Sequence, residues 1–201
     1  MPGTDRATCI WVLGIWVLSI WDLCTSTLGI STTQMSDPTE PVTPEYQRFD
    51  TEADFQTAVD RLLEQNGREL RVFDPDLEGL RLNSPARIER IERFLLASRT
   101  RRLYIVVHDP EYLMRRCPRG MRLLARFSHV IQVNRTIEEI REVQDAFLVL
   151  DAEHYVRRPV ARFFRGAIGI HDETEALAMR SRFGEIWSAS LPSVSATTLG
   201  L

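Results

Sequence analysis

Between Arg99 and His129 the chain switches sharply between apolar and polar character. A near-continuous apolar run, Leu103-Tyr-Ile-Val-Val107, stops at His108-Asp109-Pro110, and Arg115, Arg116, Arg119, Arg122 and Arg126 follow. Such a run reads as a buried, parallel strand, because both of its faces must be covered. In open α/β sheets ligands collect beyond the carboxyl ends of such strands, so the pattern predicts where a site would lie but not what it does.

The same periodicities extend through the rest of the chain. Thr51 followed by Asp54 resembles a capping box, and Phe55, Val59, Leu62 and Leu63 recur at helical spacing up to Asn66-Gly67. Leu70–Phe73 forms a short strand closed by Asp74-Pro75-Asp76. Ser84-Pro85 starts a helix whose apolar face is Ile88, Ile91, Phe94 and Leu95, with Arg87, Arg90 and Arg93 opposite. Glu89 and Arg93 stand four residues apart as a surface pair. Pro118 opens another helix, Val130–Val133 a third strand, Ile137–Val143 a helical turn, and Ala146–Leu150 a fourth strand ending in Asp151. His154–Arg158 and Arg165–Ile170 read as antiparallel strands. Asp172 caps a last helix with Ala176, Met179, Phe183 and Trp187 on one face. The order α-β-α-β-α-β-β-β-β-α predicts an α/β domain with a mixed sheet flanked by helices.

Composition narrows the chemistry. The 201 residues suit one domain with a real core plus a tail, and a net charge of −3 excludes a general polyanion binder. Locally the balance differs, with eight arginines from Arg99 to Arg126 against Asp109 and Glu111. All 25 basic residues are arginine, so a Schiff base, a lysine general base and a P-loop are excluded. Cys9, Cys24 and Cys117 are widely spaced without a CxxC, which fits a reducing, cytoplasmic compartment. No cofactor motif is present and no cofactor is expected.

The first 35 residues are a hydrophobic extension. Cys9–Trp21 is uncharged, Asp22 interrupts, and a weaker apolar stretch runs to Ile30. Thirteen clean residues fall short of the ~20 that cross a bilayer. The basic end is thin and no small-x-small cleavage site follows, so a signal peptide fits poorly. Translation starting at Met35 is one reading. An inner-membrane anchor over residues 9–30 is the alternative. Residues 36–48 read as a flexible linker and 49–201 as the domain.

Several segments carry a family resemblance. The strand-rich second half with its closing helix resembles one half of the phospholipase D-like fold. RVFDPDL, RLYIVVHDPEYL, CPRGMRLLARFSHVI and FLVLDAEHYVRR, with the Leu-Gly-Leu end, resemble an uncharacterised bacterial domain found alone or behind an acetyltransferase domain. Active phospholipase D-like enzymes carry His-x-Lys, four residues, then Asp. Placing that Asp at Asp151 puts Gln144 at the nucleophilic histidine and Ala146 at the phosphate-binding lysine. The Gly-Ser that should follow is replaced around Arg157-Arg158-Pro159. The resemblance therefore implies a fold without the family's phosphodiesterase chemistry, and no catalytic residue is assigned.

Two constellations remain. Asp74, Asp76, Asp109 and Asp151 all follow strands, and Asp74, Asp109 and Asp151 together would suit a metal-dependent phosphodiesterase or phosphoryl-transfer enzyme. Helix capping and Asx turns are the ordinary alternative. The second group is His108, Tyr112, Arg115, Arg116, His154, Arg157 and Arg158, an anion-binding set in which arginine forks would hold a phosphate-bearing ligand. Pairing with Glu111, Glu153 and Asp151 is its structural counterpart. Cys117 beside Arg115, Arg116 and Arg119 would be either a low-pKa thiol or a semi-buried cap. Ser128-His129 lacks a GxSxG elbow. Nucleic acid would call for a larger basic excess with interleaved aromatics than Tyr104, Tyr112 and Phe127 provide. The expected function is thus a non-catalytic binding or regulatory module for an anionic group or a protein partner such as an acetyltransferase, docked through the helix Asp172–Ser190.

Overall fold

In the computed structural model the described residues are 43–194, so the apolar stretch from Cys9 to Ile30 and both readings of it lie outside them. The elements run β1 (Glu45–Phe49), α1 (Glu52–Leu63), β2 (Glu69–Phe73), α2 (Pro85–Leu96), β3 (Arg102–Val107), α3 (Glu111–Arg116), α4 (Pro118–Arg126) and β4 (Ile131–Thr136). They continue with β5 (Ala146–Leu150), β6 (His154–Arg158), β7 (Gly166–Ile170), α5 (Glu173–Ser188) and β8 (Ser190–Pro192).

The predicted caps form. The Thr51 hydroxyl accepts the Asp54 amide at 3.1 Å, and the Asp172 carboxylate accepts that of Glu175 at 3.3 Å. Each satisfies one of the amides that a helix start leaves unpaired. Ser84 sits at the start of α2 but makes no side-chain cap bond, so Pro85 sets that boundary.

The strands form one mixed sheet in the order β1-β7-β6-β5-β2-β3-β4-β8. β3 lies between β2 and β4, parallel to both, as its continuous apolar run predicts. β5 is antiparallel to β2, and β6 and β7 continue the antiparallel pattern out to β1. Helices α1 to α4 bury Phe55, Val59, Leu62, Ile91, Phe94 and Leu124 against one face of the sheet. Helix α5 covers the other with Ala176, Met179, Phe183 and Ile186, packed on Phe73, Val106, Phe147 and Tyr155. Each fully buried side chain of this kind contributes about 1.5–3 kcal/mol.

Four differences from the sequence pattern stand out. Glu45–Phe49 pairs with β7 inside the expected linker; its first four residues are exposed, so no apolar alternation marks it. The residues after Pro110 form the unforeseen helix α3. The three-residue β8 closes the far edge against Asn134–Thr136. Arg87, expected on the solvent side of α2, is buried because Asp60 of α1 meets it at 2.7 Å.

Glycines show how close the layers lie. A Cβ on Gly166 would stand 2.0 Å from the Arg157 carbonyl oxygen, whereas one on Gly184, within α5, would meet nothing within 4 Å. Gly166→Ala is therefore expected to cost about 1–3 kcal/mol in urea denaturation, as overpacking does. Gly184→Ala should instead stabilise by about 0.5–1 kcal/mol. Equal effects from the two substitutions would contradict this packing.

Candidate functional site

Strand direction divides the expected site residues between opposite ends of the sheet. Because β5 runs against β2, Phe73 pairs with Phe147 and Leu70 with Leu150. The end of β5, with Asp151 and His154, therefore lies beside the start of β2, while Asp74 follows the end of that strand. Asp74 and Asp109 share one end of the sheet and Asp151 occupies the other, so the three carboxylates do not form one metal site. His108 and His154 are separated in the same way, and the anion-binding set is not one constellation.

At the first end Arg158 reaches across β5. Its Nη2 donates to Asp74 Oδ2 at 2.5 Å and its Nη1 to the Ala161 carbonyl at 2.7 Å. Both side chains are nearly inaccessible, at 3% and 2% exposure. The guanidinium lies over the rings of Phe55 and Phe164, 4.4 and 5.5 Å from their centroids. Gly79 leaves room for it, since a Cβ there would be 2.9 Å from Nη2. Asp74 Oδ1 also accepts the amides of Asp76 and Leu77. Burial pushes the Asp74 carboxyl above its ordinary range, against the lowering pull of Arg158 and these amides.

His108 is buried beside this pair. Its Nε2 lies 2.6 Å from the Val143 carbonyl and its Nδ1 2.7 Å from the Thr136 hydroxyl. A carbonyl only accepts, so the Nε2 side carries the proton and Nδ1 accepts from Thr136. Both ring nitrogens are thus engaged. Asp109 Oδ1 accepts the Glu111 amide in an Asx turn, the capping role weighed from sequence. The end is also acidic overall: residues 74–81, 108–111, 137–145 and 158–165 hold nine carboxylates against five arginines. That charge opposes anion binding here.

At the opposite end Asp151, at φ 54°, accepts the amides of Arg68 and Glu69 at 2.9 Å each and so pins the β5–β6 turn to β2. His154 is buried, and its Nδ1 accepts the His171 amide at 3.0 Å. Glu153, His154 and His171 bring three ligand-type atoms within 4.8 Å of one another. They fit a metal poorly. With Nδ1 accepting a backbone amide, neutral His154 carries its proton on Nε2, the atom a cation would need, whereas metal-bound histidines donate from the second nitrogen.

The remaining expected residues lie elsewhere. Arg157 points to α5 and pairs with Glu175 at 3.1 Å, and the exposed Arg115 pairs with Glu111 at 2.7 Å. Arg116 is exposed and Tyr112 half-buried. Cys117 is buried, and burial pushes its thiol up rather than down, against a hydrogen bond with Tyr112. The reactive-thiol reading is therefore overturned. Sequence reasoning missed Thr136, Gly79, Phe55 and Phe164 as the setting of His108 and Arg158. No local signal marks a pair formed 84 positions apart.

The fold and the strand-end polar cluster place the chain in a class of α/β proteins with the phospholipase D architecture. Nuc from Salmonella typhimurium, a phospholipase D family member, superposes with a TM-score of 0.52 at 12% identity, over 76% of this chain and 100% of that one. TrmBL2, an archaeal chromatin protein described as showing a novel mode of DNA binding, gives 0.54 at 12% identity over 80% of this chain. This chain spans 57% of that protein's length. No curated protein sequence matches. The family model described as a domain of unknown function, DUF7931, matches residues 51–199, and the chain belongs to that family.

Two outcomes test this geometry. Asp74→Asn should cost about 3–5 kcal/mol in urea denaturation by leaving the Arg158 charge buried and unpaired, and Asp74→Leu/Arg158→Met should recover much of that loss. A cost below about 1 kcal/mol for the single change would refute the burial of the pair. The second outcome concerns pH. Burial first, then neighbouring His171, holds His154 below its usual pKa of 6.5, against the raising pull of Glu153. Folded His154 thus binds protons less readily than unfolded. Its contribution is intact above the unfolded pKa and is lost as pH falls toward the folded value. Tm should drop between about pH 7.5 and 5.5, and the drop should shrink in His154→Gln. An identical slope in both proteins would refute it.

Proposed function

We propose that this chain is a non-catalytic binding module that engages an anionic partner through the exposed arginines of α3 and α4. The observation that carries this reading is the Arg158–Asp74 pair, which fills the strand ends with mutually neutralising groups. His108, the histidine nearest them, has both nitrogens in hydrogen bonds, so it lacks the free lone pair a nucleophile needs. The absence of lysine from the sequence removes the other half of the His-x-Lys pair that the resemblance would require. The similarly folded archaeal chromatin protein is one whose printed description is of DNA binding, so this architecture accommodates a binding role.

The contrary reading, a metal-dependent phosphodiesterase, loses its ligand set because Asp151 lies at the far end from Asp74 and Asp109. Purified protein incubated with bis(p-nitrophenyl) phosphate, with magnesium, manganese, zinc or a chelator, is expected to show no turnover above buffer. Turnover that co-purifies with the chain and disappears in His108→Ala would overturn the proposal.

A further inference from the structure

The outward side of α3 and α4 carries the sharpest charge asymmetry in the described residues. From Tyr112 to Ile137 there is no carboxylate, while six arginines occur. On α4, Arg119, Arg122 and Arg126 recur at i, i+3 and i+7, one exposed stripe, and Arg115 and Arg116 precede it in the last turn of α3. Arg115 is paired with Glu111 and Arg126 with Glu92, and Arg119 donates to the Asn83 carbonyl. Arg116 and Arg122 have no ion-pair or hydrogen-bond partner among the described residues. Exposed Met114 lies beside them on α3.

Resting on the binding reading above, we infer that this stripe lies against an anionic lipid surface, with the N-terminal apolar segment as the tether that makes a small patch sufficient. Each arginine near an anionic bilayer strengthens binding roughly fivefold, so two to four of them act weakly alone. Cys9–Trp21 supplies the second element: thirteen uncharged residues containing Trp11, Trp16 and Trp21, the side chain best suited to the bilayer interface. Too short to span as a clean helix, this segment suits burial in one leaflet's interface. Two weak attachments on one chain multiply, because the first holds the second at high effective concentration. The acidic strand-end loops would face away from such a surface. The stripe displays no exposed aromatic, which argues against a single-stranded nucleic acid as occupant.

The full chain should be sedimented with vesicles of phosphatidylcholine alone and with about 30% phosphatidylglycerol added. The expected result is about tenfold stronger partition onto the anionic vesicles at roughly 50 mM salt, lost at roughly 500 mM. Arg116→Glu/Arg122→Glu should abolish the preference yet melt like the wild type; if it misfolds, Arg116→Gln/Arg122→Gln should weaken the preference severalfold. Equal partition onto both vesicles, a folded variant that keeps the preference, or tighter binding to a short DNA duplex than to the anionic vesicles would each overturn the inference. None of these readouts depends on hydrolytic activity, so this result and the phosphodiester assay fail separately.

Discussion

The buried Arg158–Asp74 pair is the constraint on which this end of the molecule is built. Its partners end two strands, β6 and β2, that are not neighbours in the sheet. Desolvating both charges offsets most of their attraction, so the pair is a poor source of net stability. Its effect is selective. The guanidinium fits one arrangement in which Phe55 of α1 and Phe164 sandwich it, Gly79 stands clear and Ala161 turns its carbonyl inward. Any other packing of these loops would leave a buried charge or carbonyl unanswered.

The opposite end follows the same logic with weaker charges. Asp151 spends its carboxylate on two amides at the start of β2, and His154 spends Nδ1 on the His171 amide. Tyr155 donates to Asp172, which also caps α5, so one carboxylate fixes both the end of the sheet and the helix that covers it. Polar groups at both ends are thereby consumed by the fold. Groups so consumed are not free to bind ligand or move protons, and the exposed arginines of the helices are what the molecule has left to offer outward.

Much of the local structure was legible in the sequence, because caps and periodicity are local. Thr51, Pro85 and Asp172 mark the helices they begin, and the Leu103–Val107 run marks a doubly covered strand. Strand direction is not local. Ala146–Leu150 reads the same in either sense, and taking it as parallel moves Asp151 and His154 to the wrong end of the sheet. Burial of charge is equally invisible from one helix. Arg87 sits on the polar side of α2 by periodicity and is buried only because Asp60 and Gln56 of α1 receive it. Edge strand β1 escaped notice because a strand paired on one side with exposed faces needs no apolar pattern.

Charge placement links this architecture to a direction of approach. The strand-end loops are rich in carboxylates, whereas the α3–α4 surface carries exposed arginines and no carboxylate of its own beyond Glu111. A net charge of −3 hides this separation, since the two regions nearly cancel. Within roughly one Debye length, about 8 Å at physiological salt, an anionic surface would feel attraction on one side and repulsion at the strand ends. Orientation then follows from the field alone, without a shaped pocket. A fold that closes its strand ends on themselves can still present one defined face, provided the charges it leaves exposed are sorted to one side.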